Sequence, residues 1–202
     1  MSILLRRSLR ENLVKITMAA SLFAVSSISA AIPSYASTAL RAVDLKGTVF
    51  SLPTAASRAT VLIFVLHDCP VCNRYAPEIN RITADYKSSD VATYVVYEER
   101  DLRPSEARAH AKAYGLTCGL LYDPSHALAN KVAAASAPEA VVLSPTGEVV
   151  YRGRIDDSFY HFGMLSRQPT THDLRDALDA LLAGKDIPVA QTPVVGCSIP
   201  PD

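Results

Sequence analysis

The sequence carries no excess of charge of either sign, because its 20 Lys and Arg residues equal its 20 Asp and Glu residues. It also contains no run of lysine and arginine. Proteins that bind nucleic acid need clustered positive charge to neutralise phosphates, so both absences argue against that class. With 8 glycines and 13 prolines in 202 residues, the chain is neither collagen-like nor of low complexity. It also lacks the succession of long apolar segments that a multi-span membrane protein requires.

Cysteine is scarce as well. Four cysteines are few for a disulfide scaffold. A chain of this length, 49% of it apolar, can bury a core without metals or many disulfides. The simplest organisation is one folded domain preceded by an N-terminal appendage.

The N-terminus has the three-part pattern of a secretory signal peptide. A basic front is followed by an apolar stretch, rich in serine and alanine, over residues 16–32. Small residues at Ser34 and Ala36 then suit a signal peptidase that cuts after Ala36, and a cut after Ala31 is nearly as compatible. We therefore predict that residues 1–36 are a signal peptide and that the mature protein is periplasmic or secreted.

The alternative is a membrane anchor that is retained. The apolar stretch has 17 residues and contains four serines, which makes it marginal for a membrane span. No cysteine lies near the predicted cleavage site, which argues against a lipoprotein. Cleavage would leave one domain, residues 37–199, in a mature chain with 16 Lys and Arg against 19 Asp and Glu, a formal charge of −3. All four cysteines would enter an oxidising compartment, where they can pair.

Local patterns predict an alternation of strands and helices. Residues 60–66 form a continuous β-branched and apolar run, which is typical of a strand buried on both faces. Residues 70–87 have an apolar stripe at helical spacing and a polar face of alternating charge. A second apolar run at 91–97 completes a strand–helix–strand unit, which predicts parallel pairing through a right-handed crossover.

The rest of the chain continues this pattern. We predict helices at 104–114, 125–134 and from Thr170 or Thr171 to Gly184, strands at 120–123, 139–143 and 149–152, and a type I turn at 144–147. The tail from about residue 186 contains four prolines and is expected to run extended over the surface. These elements predict an α/β protein with helices on both faces of a sheet.

The chemistry-bearing motif lies where the first buried strand ends and a helix begins. Cys69 is predicted at the helix N-cap and Pro70 at the first helical position, where its missing donor costs nothing. The N–H groups of the first turn and the helix dipole then favour the Cys69 thiolate, and Cys72 lies one turn further on. This predicts a nucleophile at Cys69 and a resolving thiol at Cys72. A structural disulfide is the alternative, as is half of a zinc site, but zinc would need a second pair and Cys118 and Cys197 are isolated.

A C-P-V-C motif between a strand and a helix is similar to the thioredoxin-like superfamily. Pro77 matches the proline in that family's active-site helix, and Pro138 precedes a strand where the family has a cis-proline facing the dithiol. The stretch between the second strand and Pro138 resembles the inserted strand and helix of the redoxin branch, which includes exported thiol–disulfide proteins and peroxiredoxin-like proteins. The resemblance implies a thioredoxin-like fold: one domain with a central mixed sheet, helices on both faces and an inserted strand and helix.

The resemblance also implies a thiol–disulfide oxidoreductase with Cys69, Cys72 and Pro138 in its site. Pro138 would keep bulky or cationic groups away from the sulfurs and present backbone to a substrate peptide; an ordinary trans proline is the alternative. No cofactor is expected, because the electrons travel through sulfur. The expected partners are protein or small-molecule thiols and disulfides, together with an electron donor or acceptor. Nucleic acid is not expected, and contact with a membrane would come only through an uncleaved signal segment.

Three departures from the family pattern bear on mechanism. No tryptophan precedes the first active-site cysteine. Ile63 stands where thioredoxins have a buried acid, which leaves Asp68 and Glu78 as candidates for proton transfer with Cys72. Leu66 stands where peroxiredoxins have Thr or Ser, which argues against the alternative of a thiol peroxidase. A copper carrier that pairs the two cysteines with His161 is a second alternative, but related copper proteins have three residues between the cysteines and this chain has two.

Several assignments stay open at this stage. Four cysteines allow three pairings. Cys118 and Cys197 could form a stabilising bridge, or Cys197 could act as a distant resolving thiol; we expect a Cys69–Cys72 redox pair, with the other two structural or free. His67 either tunes the pKa of the Cys69 thiol or is a surface residue.

The remaining expectations concern polar residues outside the motif. Surface positions are expected for His110, His126 and His172, and a solvated ion-pair patch for Arg152, Arg154, Asp156 and Asp157.

Overall fold

The computed structural model describes residues 39–161, 164–165 and 168–199. Its centre is a five-stranded mixed sheet. In spatial order the strands are β5 (Gly119–Tyr122), β4 (Val91–Tyr97), β3 (Ala59–Val65), β7 (Glu139–Leu143) and β8 (Val149–Gly153). The first three run parallel to one another, and β7 and β8 are antiparallel to their neighbours. The predicted signal peptide, residues 1–36, lies outside the described residues and stays a prediction.

Shorter strands and helices surround this sheet. Three antiparallel pairs join β1 (Leu40–Val43) to β2 (Val49–Leu52), β6 (Ser136–Ala137) to β11 (Cys197–Ser198) and β9 (Phe159–His161) to β10 (Met164–Leu165). The helices of the described residues are α1 (Pro70–Tyr86), α2 (Pro104–Ala113), α3 (Ala127–Val132) and α4 (Asp173–Leu182), and a single 3₁₀ turn covers Lys87–Ser89. Within the same residues, no helix is both long enough and apolar enough to cross a membrane.

The core lies on both sides of the central sheet. All seven residues of β3 are buried. Val61 and Ile63 contribute to the cluster that includes α1 and α4, whereas Leu62 and Phe64 contribute to the cluster that includes α3 and β1. Side chains alternate between the two faces of a strand, so an unbroken apolar run places apolar groups in both layers. The predicted fold class, with a mixed sheet and helices on both faces, is confirmed.

Helix α1 follows from its local sequence. Pro70 occupies the start of the helix, after Cys69 in an extended conformation, and Pro77 lies inside it. The predicted apolar stripe is buried. The hairpin turn was also predicted correctly, because Gly147 donates its N–H to the Ser144 carbonyl at 3.0 Å, which is the bond that closes a β-turn.

The C-terminal tail is more firmly held than the sequence indicates. Thr192 is buried, and its hydroxyl accepts the N–H of Arg154 at 3.0 Å and hydrogen-bonds to the Tyr151 hydroxyl at 2.8 Å. A Cβ at Gly153 would lie 2.1 Å from the Thr192 hydroxyl oxygen, so the glycine permits this close approach. The tail then reaches β6, and its strand β11 pairs with β6. The expectation of a tail that only covers the surface was therefore incomplete.

The expected solvated ion-pair patch was wrong. Asp156 is buried and accepts a hydrogen bond of 2.7 Å from the Tyr75 hydroxyl. Arg154 pairs instead with Asp173 at 2.8 Å. The loop after β8 folds back onto α1, a long-range contact that the local charge pattern does not predict.

Replacing Tyr75 with Phe removes the hydroxyl that donates to Asp156 and leaves a buried acceptor with one donor fewer. We expect Tyr75→Phe to lower the free energy of unfolding by about 1–3 kcal/mol. The measurement is urea unfolding followed by far-UV circular dichroism, since the chain has no tryptophan. Tyr114→Phe is the control, because Tyr114 is 42% exposed and its replacement should change the stability by less than about 0.5 kcal/mol. Equal stability of the two variants would contradict the assigned bond.

Candidate active site

The two cysteines of the C-P-V-C motif lie at the junction of β3 and α1. Cys69 is the N-cap of α1, and its carbonyl accepts the first helical hydrogen bond, from the Asn73 N–H at 3.0 Å. Both side chains are buried: Cys69 is 2% exposed and Cys72 is 3% exposed. The N–H groups at the start of a helix have no partner within the helix, so they are available to a thiolate at the N-cap.

The two thiols have opposite shifts in pKa. The pKa of Cys69 is lowered to about 5, chiefly by a hydrogen bond from the Cys72 thiol, and further by the Cys197 thiol and the backbone N–H groups of Cys72 and Val71, against the opposing effect of burial. The pKa of Cys72 is raised, first by burial and then by its hydrogen bond to Cys69. At neutral pH the arrangement therefore holds a thiolate at Cys69 and a thiol at Cys72.

The loop that precedes β7 faces Cys69. The peptide bond between Ala137 and Pro138 is cis, as the resemblance implied. The carbonyl oxygen of Ala137 lies 3.7 Å from the Cys69 sulfur. The Glu139 carboxylate accepts the N–H groups of Ala135 and Ser136 at 2.8 and 3.0 Å, which fixes the loop. Sequence reasoning assigned Glu139 only to the start of a strand and missed this second role.

A third cysteine reaches the same place. The Cys197 sulfur lies 2.7 Å from the Cys69 sulfur, and none of the four cysteines is in a disulfide. Cys118 lies instead immediately before β5, half-buried, with its pKa raised to about 11 by burial. The structure thus brings Cys69, Cys72 and Cys197 together and leaves Cys118 outside the site. A contact that spans 128 residues has no local sequence signal.

A network of hydrogen-bonded polar side chains lies next to the C-P-V-C motif. His67 Nδ1 lies 2.8 Å from a carboxylate oxygen of Glu99, and that oxygen also accepts the His67 backbone N–H. The Asn73 amide donates to the His67 carbonyl at 3.2 Å, and its oxygen lies 2.7 Å from His110 Nε2. The other ring nitrogen of His110 lies 2.8 Å from the Tyr97 hydroxyl. His67 is therefore tied to a carboxylate, and the expectation of a surface position for His110 was wrong.

Two further expectations about histidine differ in outcome. His126 was predicted at the surface but is buried, with Nε2 2.9 Å from the carbonyl oxygen of Glu98. His172 is exposed, as predicted, at the N-cap of α4. His126 is buried because it packs against a segment that is distant in the chain, and the residues next to His126 do not predict that contact.

Glu98 is a buried acid that sequence reasoning missed. Its side chain is fully buried, and neither carboxylate oxygen has a hydrogen-bond partner among the described residues. The pKa of Glu98 is raised to about 9, mainly by burial and then by the negative charges of Glu99, Asp123 and Glu139. It is therefore neutral at physiological pH.

The candidates for proton transfer can now be separated. Glu78 binds Arg81 at 2.7 Å and Arg175 at 2.9 Å, so its carboxylate is engaged in ion pairs. Asp68 is exposed and lies next to Cys69 in the chain. Its charge also contributes to the raised pKa of Cys197. Because Glu78 is held in ion pairs, Asp68 remains the candidate for proton transfer.

One group of potential metal ligands is present in the described part of the chain. Ligand atoms of His67, Asp68 and Glu99 lie within 4.8 Å of one another. The group includes neither cysteine of the motif, and His161, which lies in β9, is not part of it. This group therefore differs from the two cysteines and one histidine that a copper carrier would use.

The chain is similar to several known proteins. The Redoxin family model matches residues 27–159, and no curated protein sequence matches the chain. A hypothetical protein from Sinorhizobium meliloti 1021 is 27% identical, with a TM-score of 0.70 over 81% of this chain and 91% of that one. An uncharacterized conserved protein from Geobacillus kaustophilus is 28% identical, with a TM-score of 0.70 over 82% and 90%. A thioredoxin-like protein from Aeropyrum pernix, 17% identical with a TM-score of 0.54 over 72% and 89%, shares the fold.

The lowered pKa of Cys69 can be measured directly. We expect the ultraviolet absorbance of thiolate in the reduced protein to titrate with a midpoint near pH 5, and Cys69→Ser to lack this transition. Cys72→Ala should move the midpoint to higher pH, because it removes the main donor to the thiolate. Cys118→Ser is the control and should leave the midpoint in place. A midpoint near the ordinary thiol value of about 8.5 would contradict the geometry.

Glu98 predicts a pH-dependent stability. Its carboxyl stays protonated in the folded state up to pH about 9, whereas in the unfolded chain it ionises near pH 4.3. Between these values the folded state holds more protons, so the stability of the wild type falls as pH rises. Glu98→Gln should therefore gain stability relative to the wild type from pH 5 to pH 8, by at least about 1 kcal/mol at the upper end.

Urea unfolding at the two pH values measures this gain. Glu148→Gln serves as the control, because Glu148 is exposed on the hairpin and its replacement should have no pH-dependent effect. A Glu98→Gln difference that stays constant with pH would show that the carboxyl ionises normally in the folded protein.

Proposed function

Since the chain belongs to the Redoxin family, the redoxin branch of the thioredoxin-like superfamily that its sequence resembles, we propose that it is an exported thiol–disulfide oxidoreductase with Cys69 and Cys72 as its dithiol centre. The observation that carries the proposal is the opposite shift in the pKa of two thiols one helical turn apart. A nucleophile must be ionised before it attacks, and a resolving thiol must stay protonated until it is needed. The cis-proline loop beside Cys69 supports the same role.

The proposed reaction consists of two exchanges. The Cys69 thiolate attacks one sulfur of a substrate disulfide; a Cys69–substrate bond forms, the substrate bond breaks and the other substrate sulfur leaves as a thiolate. Cys72 then loses its proton and attacks the Cys69 sulfur. The Cys69–Cys72 disulfide forms and the second substrate thiolate leaves, so two electrons pass from the dithiol to the substrate. The reverse sequence oxidises a substrate dithiol, and an electron donor or acceptor restores the starting state.

The proton of Cys72 needs an acceptor in this scheme. When Cys69 is bonded to substrate its negative charge is gone, and one of the causes that raise the pKa of Cys72 is removed. Ile63 supplies no carboxylate, and Glu78 is held by two arginines. We assign the acceptor role to Asp68, acting directly or through water.

The cellular location belongs to the same proposal. The pattern of residues 1–36 supports export to the periplasm or secretion. Thiols tend to be oxidised there, so a protein that reduces disulfides would depend on a partner that supplies electrons.

The test uses a protein in which only the proposed pair remains. Cys118 and Cys197 are both replaced by Ser, and reduction of a disulfide-bonded peptide is followed with glutathione as the electron donor. We expect this double variant to turn over and a further Cys69→Ser replacement to abolish the activity. Adding Cys72→Ser instead, with glutathione omitted, should retain the peptide in a mixed disulfide with Cys69, detected by mass spectrometry without reduction. Turnover by the Cys69→Ser variant at the rate of the double variant, or the absence of a mixed disulfide in the Cys72→Ser variant, would refute the assignment.

A thiol peroxidase is the second candidate. The Cys197 thiol beside Cys69 favours it, because a sulfenic acid at Cys69 would have two thiols within reach to reduce it. Leu66 argues against it, since no hydroxyl stands at the position that holds peroxide in peroxiredoxins. Consumption of hydrogen peroxide by the reduced protein, faster than that of peptide disulfide, would favour this candidate over the first.

A further inference from the structure

The C-terminal tail lies against the loop where a substrate peptide is expected. Strand β11 pairs antiparallel with β6, with Cys197 opposite Ala137 and Ser198 opposite Ser136. Ala137 immediately precedes the cis-proline, whose backbone would be presented to a substrate in the proposed function. The chain's own tail therefore takes the place of an extended peptide, with a cysteine at the position closest to Cys69.

The fit at the residue before that cysteine is tight. A Cβ at Gly196 would lie 2.1 Å from the carbonyl oxygen of Ala137 and 3.1 Å from the nitrogen of Pro138. No side chain can occupy that space unless the backbone moves. Gly196 thus lets the tail approach the loop closely enough for the sulfur of Cys197 to reach Cys69.

Anchors on both sides hold Cys197 in this position. After it, Ile199 is 9% exposed, packs into the core cluster around α3 and donates its N–H to the Ala135 carbonyl at 3.1 Å. Before it, Thr192 is buried against β8. The segment between Thr192 and Ile199 is therefore held across the cysteine pair at both ends.

The sulfur contact has a chemical consequence. The distance of 2.7 Å between the sulfurs of Cys69 and Cys197 exceeds a disulfide bond of about 2.05 Å by little, so a small movement of the side chains brings the two sulfurs to bonding distance once Cys69 carries a sulfur that can be displaced. Cys69 is also only 2% exposed. A substrate disulfide cannot reach it while the tail is docked.

We propose that Cys197 is a third redox cysteine. It forms a disulfide with Cys69 by displacing the sulfur already bonded to Cys69, either that of a substrate or that of Cys72. This rests on the proposed function. When Cys69 carries a substrate, the Cys197 thiolate attacks the Cys69 sulfur; the Cys69–Cys197 bond forms, the Cys69–substrate bond breaks and the substrate leaves as a thiolate that takes up the proton of Cys197. The oxidation level does not change in this step, so no external oxidant is required.

The same exchange applies to the oxidised pair. Attack of Cys197 on the Cys69–Cys72 disulfide breaks that bond and releases Cys72 as a thiol. The product holds the tail covalently across the peptide site. Cys197 is thus both the second resolving thiol and the group whose release reopens the site to a peptide substrate.

The test compares two variants of the full chain that lack Cys118. In Cys72→Ser, where Cys197 is present, we expect the mixed disulfide with a peptide to decay at least about tenfold faster than in Cys72→Ser/Cys197→Ser, because the thiol acts within the same molecule. The decay should yield a Cys69–Cys197 disulfide, identified by mass spectrometry of proteolytic fragments without reduction. Equal lifetimes, with no such fragment, would overturn the proposal while the proposed function stands.

A glycine variant separates docking of the tail from the thiol itself. Gly196→Ala in the Cys72→Ser background keeps Cys197 but should slow the decay towards that of the variant without Cys197. Ser198→Ala is the matched control on the same strand, since Ser198 is exposed, and should decay like its parent. If Gly196→Ala decays as fast as Ser198→Ala, the docked tail is not the reacting form and the proposal fails. If no variant forms a mixed disulfide at all, the proposed function fails and this inference with it.

Discussion

The site depends on one interaction, the stabilisation of negative charge on the Cys69 sulfur. The charge is buried, so it persists only because thiol and backbone donors converge on it at the start of α1. The neighbouring elements hold the Cys69 sulfur where these donors can reach it. The strand β3 fixes where the helix begins, Pro70 starts the helix without the loss of a hydrogen bond, and the loop at Pro138 closes the opposite side.

The parts of the site that the sequence predicts are those with local causes. An unbroken apolar run defines β3, a proline after a cysteine defines the start of α1, and the dipeptide Ala137-Pro138 before a strand indicates the cis-proline loop. Each signal needs only a few neighbouring residues, because it reflects backbone geometry and strand burial. These local signals predict the central sheet and place Cys69 and Cys72 at the C-terminal end of its middle strand, β3.

The parts that the sequence does not predict depend on contacts between distant segments. Asp156 looks like a surface acid until the loop after β8 folds onto Tyr75, and His110 looks exposed until Asn73 and Tyr97 bind both of its ring nitrogens. Cys197 lies 128 residues from Cys69 in the chain. Periodicity and capping describe what a segment does by itself, so they contain no information about such partners.

The close approach of Thr192 to Gly153 also limits how far the end of the chain can travel. Even if the last strand separates from β6, the chain remains fastened at Thr192, five residues before Cys197. A fully extended segment of that length spans at most about 18 Å. The sulfur of Cys197 would then explore only a small volume around the entrance to the site, at a local concentration in the millimolar range or above. Any mixed disulfide that forms at Cys69 is therefore open to attack by a thiol held at that concentration.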